Sequence, residues 1–371
     1  MLKITQPEAI PPTFVPLYST DLGSMYCGFC EDALASDRWS QYRGKVQLIL
    51  TSPPFPLNRK KRYGNLTGQR YLRWLKGLAP IFSDYLTEDG SIAIEIGNAW
   101  EKGRPTMSTL PIEALLAFKE AAHLYLCQEF ICYNPARLPT PAQWVTVERI
   151  RVKDAFTRVW WMSRTDRPKA DNRRVLTKYS ESMRDLLKRG TYNSGERPSE
   201  HNIGKSSFLK DNGGSIPPDL LVPTPQLIED ELTEVLPVSN TRTNDPYQIY
   251  CRQQSIAPHP ARMPEPIAEF FIRFLTDEGD LVMDPFAGSN TTGAVAERLK
   301  RKWLSVEADM DYASASEVRL HPKLLKEPPR HQPLGSAAPS RRTRDASDRK
   351  VCTRVAATRR SSSPTCSESG S

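Results

Sequence analysis

Apolar positions along the chain recur in two rhythms, one with the period of a strand and one with that of a helix. Val46–Leu50 (VQLIL) is a short apolar run cut off by Ser52-Pro53-Pro54, which predicts a buried parallel strand with functional residues at its C-terminal end. Residues 69–86 then place Leu72, Leu75, Leu78, Ile81, Phe82 and Leu86 at helical spacing. Ser91–Gly97 (SIAIEIG) alternates like a strand, and 111–122 returns to a helical pattern. From Pro264 onward, Ile267, Phe270, Phe271, Phe274 and Leu275 predict a helix. Leu281–Met283 predicts a strand, 290–300 a helix and Trp303–Val306 another strand. This β-α-β-α order predicts an α/β fold with helices on both faces of a sheet.

Two segments break the rhythm. Residues 136–260 are rich in Pro, Asn, Ser and charge and read as a loop-rich insertion, a common place for substrate recognition. Within them, 157–163 (TRVWWMS) keeps the pattern of a strand. Beyond about 321 the composition turns to Pro, Ser, Thr, Arg and Ala, which cannot bury enough apolar surface to offset ordering entropy. Residues 325–371 therefore read as a basic disordered tail, with weak phosphate affinity or no function.

Charge changes this picture only once it is located. The formal net charge of the 371 residues is +8, but residues 321–371 hold 11 Lys/Arg against 4 Asp/Glu. The body is close to neutral, so the high pI belongs mostly to the tail. Inside the body, residues 148–190 hold 13 Lys/Arg and 6 Asp/Glu, with Phe156, Trp160 and Trp161 among them. That mixture fits a nucleic-acid surface or a solvated face. No stretch approaches the roughly 18 consecutive apolar residues of a membrane span, and the first residues lack the apolar core of a secretory signal. A cytoplasmic protein is expected. Seven scattered cysteines without such a signal argue against a disulfide scaffold. Cys27-Gly28-Phe29-Cys30 has redox or half-zinc spacing, but no second pair follows it closely, so small packed residues and no metal site are expected.

Two motifs carry candidate chemistry. Asp284-Pro285-Phe286-Ala287-Gly288-Ser289-Asn290-Thr291-Thr292-Gly293 follows a strand and opens a helix. Gly288 permits close backbone approach, and the N–H groups at the helix start favour an anionic group. Gly293 is followed by Ala294-Val295, which excludes a Walker A loop, and no G-x-G-x-x-G turn is present. About twenty residues on, Trp303–Val306 ends at Glu307, where a carboxylate can accept both hydroxyls of a ribose. A nucleoside with a small anion fits this pair, S-adenosylmethionine included; a structural turn followed by a chance Glu fits as well.

Thr51-Ser52-Pro53-Pro54-Phe55 is the second motif. An exocyclic amine is a poor nucleophile because its lone pair is delocalised into the base. Its attack on a sulfonium methyl needs acceptors that hold the amino hydrogens and aim the nitrogen. The Ser52 hydroxyl and the Pro53 carbonyl can accept, two prolines preset the turn, and Phe55 offers a stacking face. Ser-Pro-Pro alone would equally serve as a strand terminator. The buried strand before it and Arg59-Lys60-Lys61-Arg62 just after it favour a pocket whose cations grip phosphates around an extruded nucleotide.

Thr51–Phe55, Asp284–Gly293 and Glu307 together resemble the motifs of amino-methylating DNA methyltransferases, in the circularly permuted β-class order. Ser at the head of the Pro-Pro-aromatic motif points to N4-cytosine enzymes of restriction–modification systems, with N6-adenine methylation and a non-catalytic DNA-binding regulator on the same fold as the alternatives. The resemblance extends over about residues 20–320, through Tyr63–Leu66, Arg151–Ala155, Trp160-Trp161, Lys210–Pro218 and His259–Arg262. It implies a Rossmann-like S-adenosylmethionine-dependent fold with a mostly parallel seven-stranded sheet. It also implies a catalytic half at 1–135, a target-recognition region at 136–260 and a cofactor half at 261–324. By position, Ser52, Pro53, Pro54 and Phe55 would engage a flipped cytosine, with Glu95 supporting the serine where a shorter Asp is expected. Thr51, Asp284, Phe286, Gly288, Ser289, Asn290, Thr291, Glu307, His259 and Pro260 would form the cofactor site. Arg59–Arg62, Arg151 and Lys153 would bind double-stranded DNA. Functional pairing with a restriction endonuclease, without a stable complex, is expected, and a short palindrome such as CAGCTG is the implied kind of target. The family often has Gly-Asp-Ser near the N-terminus to meet adenine; here Gly28-Phe29-Cys30 stands in its place.

Overall fold

The computed structural model describes residues 14–55, 66–196, 198–199, 202–222 and 245–325. The expectations for Arg59-Lys60-Lys61-Arg62 and for the tail beyond Leu325 lie outside these residues.

One sheet organises the molecule. Its strands are β1 (Pro16–Ser19), β2 (Gly23–Cys27), β3 (Val46–Thr51), β4 (Leu86–Gly97), β5 (Tyr125–Tyr133), β6 (Phe156–Ser163), β7 (Leu220–Leu221), β8 (Leu281–Asp284) and β9 (Lys302–Glu307). They lie in the order β1-β2-β9-β8-β3-β4-β6-β5-β7. From β2 to β4 all neighbours are parallel. β6 runs antiparallel to both β4 and β5, β7 is parallel to β5, and β1 is antiparallel to β2. β2 to β6, β8 and β9 make up the expected seven strands, and the short β1 and β7 extend the two edges.

Helices cover both faces. On one face lie α1 (Cys30–Ala35), α2 (Gly68–Tyr85) and α3 (Leu110–Ala121), packed on Ile49, Ile92, Ile94 and Met283. The buried stripe of α2 is Tyr71, Leu75, Leu78, Phe82 and Tyr85, while Leu72 and Ile81 are half-buried. Within 136–260 stand two further helices, α4 (Glu181–Arg189) and α5 (Pro246–Gln253). The other face carries α6 (Glu265–Leu275), α7 (Thr291–Arg298) and α8 (Met310–Ser316), packed on Leu48, Leu50, Val282 and Trp303. Side chains of consecutive strand residues therefore serve opposite cores, which is why these strands read as nearly continuous apolar runs.

The sheet corrects one expectation about the middle segment. Trp160 and Trp161 are not aromatics of an exposed basic surface. β6 inserts between β4 and β5, and both tryptophans are buried on opposite faces of the sheet. Trp161 Nε1 donates to Ser91 Oγ at 2.9 Å, which satisfies its one polar group inside the core.

The topology also fixes where a ligand can enter. The chain leaves β3 toward α2 on one face and leaves β8 toward α7 on the other, although β3 and β8 are neighbours. Right-handed crossovers diverging from adjacent parallel strands open a crevice outside their C-terminal ends. Ser52 follows β3 at that crevice, and Asp284 ends β8.

Candidate active site

A cleft of roughly 260 Å³ occupies the crevice, lined from one side by Ser52, Pro53, Pro54 and Phe55 and from the other by Asp284, Phe286, Gly288, Ser289, Thr291 and Glu307. Asp284 ties the two sides together. Its carboxylate accepts from Thr51 Oγ1 at 2.7 Å, Thr292 Oγ1 at 2.8 Å and the Phe286 amide at 3.1 Å. Burial nevertheless pushes its pKa up to about 6, against those three bonds. Thr51 spends its hydroxyl on this link, is fully buried and does not line the cleft.

Phe55 is positioned by a missing side chain. A Cβ on Gly97, at the end of β4, would lie 2.6 Å from the Phe55 ring. The ring rests on the Gly97 backbone and keeps a face toward the cleft it lines.

Ser52 leads to a half-buried acid. Its hydroxyl donates to Glu95 Oε2 at 3.4 Å, and Thr157 Oγ1 donates to Glu95 Oε1 at 2.8 Å. Burial raises the Glu95 pKa, with the Thr157 bond, the Arg137 charge and the Ser52 bond acting in the opposite direction. Glutamate reaches the serine although it is one methylene longer than aspartate, because β6 holds its far oxygen from the neighbouring strand. Thr157 was missed by sequence reasoning. Its signal is a polar residue sharing the strand parity of the buried Val159 and Trp161, an inward position that demands a partner.

On the far side, Gly288 adopts φ +54°, and a Cβ there would meet the His259 ring at 3.1 Å. Its amide donates to Glu307 Oε2 at 2.8 Å, while the Asp309 amide donates to Oε1 at 2.9 Å. Burial lifts the Glu307 pKa to about 7, with the two amide bonds opposing and the charges of Asp309 and Asp284 assisting. His259 lines the cleft and stands edge-on to Tyr312 at 4.8 Å. Asn290 is fully buried and does not line the cleft: its Nδ2 donates to Tyr18 Oη at 2.9 Å and its Oδ1 accepts from Ser305 Oγ at 2.7 Å. It locks the loop onto β1 and β9 from a left-handed conformation (φ 52°), where Asn is tolerated. Pro260 does not line the cleft either; Ala261, Arg262 and Met263 do.

Further groups escaped the motif search. Trp74 of α2 lines the cleft with its ring 5.5 Å from that of Phe286, and its Nε1 donates to Glu31 Oε1 at 2.6 Å. Trp74 lies at the margin of the apolar stripe of α2, three residues after Tyr71 and four before Leu78, so helical spacing alone does not tell it from a core residue. Phe29, Cys30 and Glu31 line the same wall, and the buried Cys30 thiol donates to Glu31 Oε2 at 3.2 Å. Arg319 pairs with Asp245 at 2.9 Å and Glu265 at 3.2 Å and donates to the Ser289 carbonyl at 2.8 Å, holding the loop from behind. Among the described residues no His, Cys, Asp and Glu cluster could hold a metal ion, and no helix is long and apolar enough to cross a membrane. Arg151 and Lys153 stand on the β5–β6 connection: the Arg151 guanidinium lies 3.0 Å from the Trp100 ring centroid, and Lys153 Nζ donates to the Pro135 carbonyl at 2.5 Å.

An open α/β sheet with a glycine loop, an acid one strand further on and a proline-preset turn across the crevice is the architecture of a group-transfer enzyme. Residues 46–318 match the DNA methylase family model of N6/N4 type, and the chain belongs to that family. It is 42% identical over 306 residues to the Type II methyltransferase M.PvuII of Proteus hauseri, covering 82% of this chain and 85% of that protein. The solved structure of the PvuII DNA methyltransferase (cytosine-N4-specific) is similar, with a TM-score of 0.62 and 36% identity, covering 82% of this chain and 88% of that one. The Type II methyltransferase M2.DpnII of Streptococcus pneumoniae is 44% identical over 62 residues, 17% of this chain and 23% of that protein.

Proposed function

We propose that this protein is a site-specific DNA methyltransferase that moves a methyl group from S-adenosylmethionine to N4 of cytosine flipped out of duplex DNA. The observation that carries the reading is the Ser52–Glu95 contact at the mouth of the cleft. With Glu95 ionised, the Ser52 proton points to the carboxylate, and both serine lone pairs remain available for an amino hydrogen. Binding alone needs no such arrangement.

The donor set fits the cofactor. Glu307 can accept from a ribose diol, Phe286 and Trp74 offer aromatic faces to a purine, and the missing Cβ of Gly288 lets the His259 ring close against the loop on the cleft wall. When bound, S-adenosylmethionine supplies an electrophilic sulfonium methyl. The chain's own residues do the rest. Phe55 stacks the base, and Ser52 Oγ and the Pro53 carbonyl hold the amino hydrogens so that the nitrogen lone pair faces the methyl. As N4 forms its new bond it must shed a proton; Ser52 takes it and passes its own proton to Glu95 Oε2. A carboxylate whose pKa is raised by burial is the stronger base for that step.

In this reading residues 1–135, joined in the sheet by β6, form the catalytic half, the rest of 136–260 the recognition region and 261–324 the cofactor half. A restriction endonuclease of matching specificity would be the functional counterpart, and CAGCTG is the first target to test. Purified protein is expected to transfer labelled methyl to duplex DNA, with N4-methylcytosine as the modified nucleoside. Recovery of N6-methyladenine would overturn the base assignment, and no transfer to any duplex would overturn the reading as a whole.

A further inference from the structure

The β5–β6 connection carries an exposed apolar series that the site described above leaves unused. Val147, Ile150 and Val152 are 67%, 57% and 86% exposed. They interleave with Arg149, Arg151 and Lys153, so a polyanion would be attracted to the same surface that offers aliphatic carbons. Of the acids in this stretch, Asp154 accepts from Asn98 Nδ2 at 2.8 Å and from Arg137 at 3.2 Å, and Glu148 accepts from Gln143 Nε2 at 2.8 Å. Arg151 packs over Trp100. The segment is thus fastened at its base while its aliphatic tips stay in water, an unfavourable exposure unless a partner covers it.

Its position follows from register. Gly97 pairs with Thr157 and Tyr133 with Phe156, so the connection leaves the sheet at the edge where Gly97 carries Phe55. That is the edge where a flipped base would be received.

We propose that residues 147–153 are a wedge that enters the DNA base stack where the flipped nucleotide has left it. Ile150 and Val152 fill the vacated space, and Arg149 and Lys153 hold the flanking phosphates. Architectural DNA-binding proteins insert aliphatic side chains between base steps in the same physical manner. The proposal rests on the base-flipping reading above and adds the group that stabilises the opened duplex.

The test compares two substrates containing a site that the wild-type chain methylates: a fully paired duplex, and the same duplex with an abasic position opposite the target cytosine. In the second, the target is already unpaired and no orphan base has to be supported. The double variant Ile150→Ser/Val152→Ser is expected to lose about tenfold or more in kcat/KM on the paired duplex and to return to within about twofold of wild type on the abasic one. Thermal melting and cofactor titration of the variant should match wild type, since both positions are exposed. Equal losses on the two substrates, or no loss on either, would overturn the wedge while leaving methyl transfer intact. Absence of wild-type transfer to any duplex would overturn both readings.

Discussion

Ser52 has one hydroxyl proton and two lone pairs, so what it can do for an amino group depends on which neighbour takes the proton. Glu95 takes it only as a carboxylate; protonated, it competes for a serine lone pair instead. The raised pKa of Glu95 therefore sets the acid limb of turnover: kcat is expected to fall as pH drops through a value above the ordinary carboxylate range. Thr157 tunes that limb, because its hydrogen bond to Oε1 favours the ionised form. Thr157→Val should shift the acid limb of the kcat profile to higher pH, while Thr157→Ser should restore it. Glu95→Gln should remove the limb and lower kcat by about 10²-fold or more. A Thr157→Val enzyme that slows without moving its pH profile would reduce that residue to a packing role.

Between elements, the important contact is one that a side chain would destroy. The Ser52–Phe55 turn after β3 and the Gly97 end of β4 meet through the Phe55 ring, with no room for a methyl group. Gly97 has no positive φ, so alanine suits the backbone and its cost falls on the ring. Gly97→Ala is expected to displace Phe55, raise KM for DNA and lower kcat, together about tenfold or more, with cofactor affinity unchanged. Loss of cofactor affinity in that variant would mean that the cleft as a whole depends on this contact. The turn itself was legible in the sequence, because prolines after a buried strand leave few conformations. Its supports were not. Gly97, Thr157 and Trp74 act across strands or from another helix, and spacing within one segment carries no record of which segment lies alongside. The same reason explains Trp160 and Trp161: aromatics among basic residues look like a nucleic-acid surface until β6 is known to lie between β4 and β5. The inward turn of Asn290 was not legible either, because a motif names residues in a loop without saying which of them face inward.

At the scale of the molecule, the order of strands was legible as a rhythm, and the crevice between β3 and β8 followed only once their helices proved to lie on opposite faces. That crevice buries two carboxylates, Asp284 with a pKa of about 6 and Glu307 with one of about 7, both above their unfolded values. A raised carboxylate pKa means that the folded state binds protons more readily than the unfolded chain. Its contribution to stability is complete below the unfolded pKa and is lost as pH rises through the folded one. Between pH 8 and pH 6 Glu307 is the acid titrating most, so the ligand-free protein should melt at a higher temperature at pH 6 than at pH 8. A ribose diol donating to Glu307 favours the carboxylate and reverses this preference. Binding of S-adenosylhomocysteine, the demethylated product, should then release protons near pH 7 and weaken as pH falls below it. Calorimetric binding enthalpies measured in buffers of different ionisation enthalpy would count those protons. Glu307→Gln, which keeps the shape and removes the titration, should abolish the release and cut the pH 6 stabilisation to the smaller part that Asp284 supplies. If the variant kept the wild-type slope, the titrating group would lie elsewhere, and Glu307 would lose its place as the ionisable reader of the ribose.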